Sequence, residues 1–486
     1  MADYRVPDTK NQGVKLVATN APVTTQIAGE TDRTAKWALL LGSLLLAGGT
    51  AILFMAWAVF TVPSQGTGFL GFGRLYPMAM TLTVFGGFVA LNLGVFLFLL
   101  PRLTGAAPQL ITLMSSLVWL AAGGSVAGVL VVGFGGTDGR QGFELPWYSE
   151  LLLAASLAGI ALIAIQALFD AKEDSIYPSV WFVTGGLLSF IAAIAIANFP
   201  IASGPGAAIP VGFGRGIVLW VWILGSAIGA ILYLVPKESG RPLFSRRIAI
   251  GTFASLLLVG MFYGLSTTLF GPLPDWAETV GVSMGLLLVV PAITVPTLVV
   301  KTLEGAFDQL ETSIPLRFAV AGTVAFSIGA LVSALSGLRS FAQVLGLTTF
   351  RDGTETLLVF GAGVLMISAF VYHAVPRLTG RTLYSEQLAK RHLQFTVIGA
   401  GGLTLLLWLG GIATGSTWLA GVESGSFSAS GEGFSAALAA STWSYPWLLL
   451  SAFILFIGQL IFVTNLYRTL VSSEAAAVEM IVEDTE

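Results

Sequence analysis

Apolar residues run along this chain in long windows. They show neither the two-residue alternation of a half-buried strand nor the single stripe of a surface helix. Twelve windows stand out, near 37–62, 74–100, 108–134, 147–169, 177–199, 213–235, 246–270, 278–301, 315–338, 355–375, 393–415 and 443–468. An α-helix rises 1.5 Å per residue, so about 20 such residues cross a hydrocarbon core about 30 Å thick. The pattern predicts an all-α integral membrane protein. Residues 37–468 form its twelve-helix membrane domain, with polar tails at 1–36 and 469–486. Residues 1–35 lack the short apolar core of a cleavable signal and read as a retained tail. The Ser- and Gly-rich stretch near 416–442 reads as a flexible connection, and EAAAVEMIVEDTE as a short amphipathic or disordered tail.

A faint repeat organises these windows. LLPRLTGA carries its proline at 101, YLVPKESGRPLFS at 236 and HAVPRLTGRTLYS at 376. The spacings are 135 and 140 residues, or four windows each. Proline just past a helix end, followed by glycine and basic residues, is ordinary helix-stop chemistry. Its recurrence after every fourth window predicts three four-helix arcs around a pseudo-threefold axis.

Composition agrees with the pattern. Of 486 residues 55% are hydrophobic and only 10% charged, with a mean hydropathy of +0.86, too little charge to cover a soluble protein of this length. The 58 glycines suit close helix packing in lipid. With an inner N-terminus, the inner segments hold 18 of the 23 Lys and Arg residues. Only Arg74, Arg140, Arg215, Arg339 and Arg351 remain for the outer side. That bias predicts a multi-pass topology with both termini cytoplasmic, and the expected location is a prokaryotic plasma membrane. The expected partners are lipid and other membrane subunits, with no nucleic acid. The chain has no cysteine, which excludes disulfides, thiolate metal sites and iron–sulfur clusters. No phosphate-binding loop, Ser–His–Asp set or zinc motif is present.

Several stretches resemble subunit I of the heme–copper oxidases, with the cbb type and its nitric-oxide-reductase relatives nearest. FGRLYPMAMTLTVFGGF (72–88) is similar to the family's second helix, and ILYLVPKESGRPLFSRRIAI (231–250) to its sixth helix and following loop. FGPLPDWAETVGVSMGLLL (270–288) resembles the turn into helix 8, and VPRLTGRTLYSEQLAKRH (375–392) the loop from helix 10 to 11. The family reduces oxygen or nitric oxide at a heme iron facing a second metal, which is copper in the oxidases. The resemblance implies six histidine ligands in an oxidase. This chain has two histidines, His373 and His392.

Carried over by the resemblance, the low-spin heme ligand of helix 2 falls on Ala79 and the first copper ligand of helix 6 at or near Gly216. The copper His-His pair falls on Ser266 and Thr267, and the His-x-His of helix 10 on Thr354 and Thr356. None of these side chains is an axial ligand for heme iron, and neither Met78 nor Met80 has a histidine predicted opposite it. His373 is expected near the inner end of helix 10, about 27 Å from the GTET stretch, and His392 beside helix 11; both read as hydrogen-bonded or interfacial.

The expectation is a chain without heme, copper or other metal, heme being allowed only through atypical ligands. Bulky residues would then fill the vacated space, with Phe54, Phe85, Phe88, Phe96, Trp220, Trp222, Phe262 and Phe370 the candidates. The interior reads as nearly free of ionisable groups. Tyr263, Thr294, Thr297 and Lys301 mark a candidate proton path, and Glu355 reads as a carboxylate favouring a helix N-terminus. The leading expectation is a scaffold or partner subunit of a respiratory or other energy-coupled complex. A proton-conducting or transport subunit, and an oxidase-like subunit with atypical heme ligands, are the alternatives. Redox catalysis by the chain itself is left open.

Overall fold

The computed structural model describes residues 23–62, 70–106, 108–172, 175–199, 204–424 and 432–471. Twelve helices cross the apolar layer: α1 (Gly29–Thr61), α2 (Phe72–Thr104), α3 (Ile111–Gly133), α4 (Trp147–Phe169), α5 (Pro178–Asn198), α6 (Gly204–Ser239), α7 (Arg246–Thr268), α8 (Asp275–Leu303), α9 (Ile314–Ser336), α10 (Phe350–Thr379), α11 (Glu386–Glu423) and α12 (Gly433–Val471). Each expected window lies on one of them. Two boundaries differ. Helical backbone already begins at Val23, inside the expected tail; residues 1–22 and 472–486 lie outside the described residues. The expected flexible stretch near 416–442 is largely helical, because α11 continues to Glu423 and the chain coils again from Glu432, while 425–431 lie outside the described residues. There the Trp418 and Phe434 rings meet edge-on at 6.1 Å, a contact that outweighs the weak helix propensity of Ser and Gly.

The three helices that carry the repeated proline form the centre. In α2, α6 and α10, 89, 94 and 100% of the most apolar 18 residues are buried, against 39–56% in the other nine. A helix that is apolar all round can be buried on every side, and these three are. The prolines, expected just past the helix ends, lie inside them, since Pro101, Pro236 and Pro376 are followed by helix to Thr104, Ser239 and Thr379, and each helix then stops the same way. Gly105, Gly240 and Gly380 take φ of 67°, 65° and 64°, the left-handed cap that side chains resist. Ser245 and Ser385 then cap α7 and α11 by accepting from Ile248 N and Leu388 N.

The repeat extends to an irregularity that sequence pattern does not show. Each central helix widens into π-helical turns, at Leu82–Phe88, Ile217–Gly225 and Leu357–Gly363. Each starts 19 residues before its proline. Between them, residues 13 before the prolines converge on the axis. A Cβ on Gly363 would lie 3.0 Å from both Phe88 and Ile223, so one glycine makes room for two large neighbours. Residues three before the prolines form a second layer. The rings of Phe98, Tyr233 and His373 sit 6.1, 6.4 and 5.8 Å apart, mostly edge-on.

Outer helices close on this centre by glycine. Along α6 and α7, Gly212 and Gly216 face Gly260 and Gly264. A Cβ on Gly264 would fall 1.6 Å from the Gly212 carbonyl oxygen, and one on Gly216 would fall 2.1 Å from that of Gly260. Backbones in direct contact replace the hydrophobic driving force that lipid cannot supply. Gly264→Ala is therefore expected to cost about 1–3 kcal/mol or more through overpacking. Gly251→Ala, with nothing within 4 Å, should leave stability unchanged or slightly raised. Thermal unfolding of the two variants in detergent checks this; equal melting would show that the α6–α7 contact is not tight.

Candidate functional site

A cavity of about 280 Å³ opens at the end of the bundle opposite the Pro–Gly turns. Its upper wall comes from Tyr76 of α2, Arg215 of α6, Tyr263 of α7, and Arg351, Asp352 and Glu355 of α10, with Gln141 and Glu144 closing over from the α3–α4 connection. Its floor is the π-helical turns themselves, through Val84 and Phe85, Val218, Leu219 and Ile223, and Val359. An extra residue per turn moves side chains off their helical register, which opens space inside a packed bundle.

Charge concentrates at the mouth, where the sequence reading expected little. Arg215 Nη2 donates to Glu355 Oε1 at 3.0 Å and Arg351 Nε to the same oxygen at 3.3 Å. Arg215 Nη1 also donates to Gln141 Oε1 at 2.8 Å. Glu355 is thus held by two guanidinium groups as well as by its place in the first turns of α10. Its partner Arg215 lies 21 residues before Pro236, as Glu355 lies 21 before Pro376 and Met80 before Pro101. All three repeat-equivalent residues line the cavity. The repeat arithmetic carried this signal.

Glu144 accepts from Gly142 N at 2.8 Å and from the Thr81 hydroxyl at 3.5 Å. Burial pushes its carboxyl above the ordinary range, and the Gly142 amide only partly offsets that. Asp352, the third carboxylate, makes no hydrogen bond or ion pair to any described residue. Nearby, Glu150 of α4 accepts from the Asn198 side-chain amide of α5, whose Oδ1 accepts from Arg140 Nη1 at 2.6 Å.

The positions carried over by the resemblance are occupied by helix packing. Ala79 is buried, and its carbonyl accepts from the Thr83 hydroxyl at 2.8 Å. Gly216 is the backbone contact with α7. The Ser266 and Thr267 hydroxyls donate to Tyr263 O and Gly264 O at 2.7 and 2.6 Å. Thr354 accepts from Trp408 Nε1 at 3.0 Å and donates to Phe350 O, while Thr356 is buried. Of the six, Gly216 and Thr267 reach the cavity. These groups do not fit coordination of heme iron or copper, since they offer neither imidazole nor thiolate and three of the hydroxyls donate to backbone.

The expected space fillers divide. Phe85, Phe88, Phe96, Trp220, Trp222 and Phe370 are buried, with Phe190 stacked on Trp222 at 4.7 Å and Phe326 edge-on to Trp220 at 6.2 Å. Phe54 instead packs against Phe453 and Phe456 of α12, and Phe262 against Phe213, because both point outward from the central helices.

Both histidines are buried and hydrogen-bonded. His373 Nδ1 donates to Glu238 Oε1 at 2.5 Å, and that carboxylate also takes Arg377 at 3.2 Å and the Ser313 hydroxyl at 2.8 Å. This ties α6, α9 and α10 together at the Pro–Gly end. His392 stacks on Phe462 at 4.5 Å, with Nδ1 3.1 Å from the Tyr372 hydroxyl and Nε2 3.4 Å from the Gln459 amide.

The candidate proton path is not brought together as one line. Tyr263 joins the cavity beside Gly285. Thr294 hydrogen-bonds Thr252 at 2.7 Å, Thr297 donates to Ile293 O, and the exposed Lys301 pairs with Glu304 at 3.1 Å. Residues 286–293 between these levels are all apolar, a gap of about 13 Å between Gly285 and Thr294.

A family model described as cytochrome c and quinol oxidase polypeptide I matches residues 33–443. The chain is 27% identical over 360 residues to the cbb3-type cytochrome c oxidase subunit CcoN1 of Stutzerimonas stutzeri, covering 71% of this chain and 74% of that one. It is 26% identical over 373 residues to cytochrome c oxidase subunit 1 of Rhodobacter capsulatus, covering 72% and 68%. A cytochrome c oxidase subunit 1 homolog of Azorhizobium caulinodans is 25% identical over 399 residues, covering 76% and 69%. Twelve helices, a threefold centre and this match agree: the chain belongs to the cytochrome c and quinol oxidase polypeptide I family.

Proposed function

We propose that this protein is a heme- and copper-free member of its family that serves as a scaffold or partner subunit in a respiratory or other energy-coupled membrane complex. One observation carries the reading: every position to which the resemblance assigns a ligand is an alanine, glycine, serine or threonine engaged in helix packing or buried in it. The cavity that remains, about 280 Å³, lies below the roughly 300–1,000 Å³ of sites for drug-sized ligands, and heme is larger than such ligands. What persists is the helix frame, with lipid-facing residues such as Leu162, Ile293 and Leu405 on its outside. A frame kept without the chemistry supports a role through assembly. In the prokaryotic plasma membrane its Pro–Gly end, rich in Lys and Arg, would face the cytoplasm.

Three measurements check this. A pyridine-hemochrome spectrum with metal analysis of the purified protein should show no stoichiometric heme or copper; either one sinks the reading. Extraction in a mild detergent should yield a stable species well above the 50.9 kDa of the chain, with a reproducible membrane subunit bound. A lone chain would remove the partner role. Because the sequence has no cysteine, Lys172→Cys and Ser424→Cys each introduce a unique thiol at opposite ends. A membrane-impermeant maleimide should label the Ser424 variant on intact cells and spare the Lys172 variant; the opposite pattern would invert the topology.

A further inference from the structure

We infer that the outer cavity is a binding site for a compact organic cation, an amine or amidine with an apolar body. The inference rests on the reading that no heme fills this space. Three carboxylates, Glu144, Asp352 and Glu355, face two guanidinium groups, Arg215 and Arg351, in the same cavity. Both guanidinium groups already bind Glu355, and Arg215 binds Gln141 besides. By formal charge the three carboxylates outnumber the two guanidinium groups, so a cation and not an anion balances the cavity. Asp352 is the group in need of a partner, with no hydrogen bond or ion pair to any described residue. A carboxylate with no ion pair or hydrogen bond of its own in a half-dry cavity is costly, and a bound cation relieves it.

Polar groups beyond the acids point the same way. Tyr263 is 7% exposed, lines the cavity, and its hydroxyl has no partner among the described residues. A buried phenol of that kind marks a position where a ligand or water completes the hydrogen bonding. The aromatic side chains of Tyr76, Phe85 and Tyr263 line the same cavity, and aromatic rings attract a cation. Below them Val84, Leu219 and Val359 make an apolar floor on the π-helical turns. A charged head at the rim and an apolar body on the floor is the arrangement these two layers complement. The volume equals that of about nine waters at roughly 30 Å³ each, which limits the ligand to a small molecule.

The test uses the full chain in nanodiscs, with 2-phenylethylammonium as probe and 3-phenylpropanoate as its anionic counterpart. Calorimetry should show saturable binding of the ammonium, about tenfold or more tighter than of the carboxylate. Asp352→Asn should weaken the ammonium by about tenfold or more, and Leu219→Trp, which fills the floor, should abolish binding. The comparison of the two probes on the unmodified protein needs no variant, so misfolding of either substitution leaves the inference testable. Equal affinity for both probes, or no saturable binding of the ammonium, overturns it, as does binding unchanged in folded Asp352→Asn. A visible-range spectrum of the same preparation separates the failures. Missing binding with a heme band overturns both this inference and the heme-free reading, whereas missing binding without heme overturns this inference alone.

Discussion

Helix backbones touching one another inside an apolar solvent is the constraint on which this structure rests. Lipid gives no hydrophobic reward for bringing two helices together, so close approach and dispersion must do it. The glycines of α6 and α7 supply that approach where carbonyl oxygens of one helix lie within 2.1 Å of a hypothetical Cβ on the other. The same device recurs where Gly399 of α11 meets Leu455 of α12 and where Gly322 of α9 meets Met366 of α10. Everything else is arranged around a centre that these contacts hold in place.

That centre is not regular, and its irregularity has a use. Three π-helical turns lie at equivalent heights, and in one of them Trp222 O accepts from the buried Asn92 side chain at 3.1 Å. The same turns form the floor of the charged cavity. Below them the bundle is packed by ring layers and closed by the Glu238–His373–Arg377 network. Above them Arg215, Arg351 and Glu355 meet around open space. The protein thus keeps a solid half and a hollow half, divided by widened turns.

The positions carried over by the resemblance lie in the same close packing. Gly216 lies in the close approach of α6 to α7, where its Cβ would fall 2.1 Å from Gly260 O, and Ser266 in that of α7 to α8, where a Cβ on Gly281 would sit 2.4 Å from Ser266 N. Imidazole rings at those positions would need a different helix spacing. Thr354 takes a hydrogen bond from Trp408, whose ring stacks on Phe350 at 5.5 Å, so an aromatic pair of α10 and α11 closes over the helix 10 position.

The sequence by itself determined the number of spans, their approximate positions, the proline repeat after every fourth span, and the presence of only two histidines. These are properties of local composition and period, which a chain in lipid expresses almost without tertiary help. Tertiary structure alone decided which polar residues meet. Arg215 and Glu355 are 140 residues apart and read separately as an outer-side arginine and a helix-start carboxylate. Tyr263 read as part of a path toward Lys301 and proved instead to face the cavity, because side-chain direction depends on helix rotation against neighbours. The π-helical turns were equally invisible, since no residue type encodes them and only packing between the three central helices selects them. Contact between distant residues is a property of geometry, and in this protein the candidate site consists of such contacts.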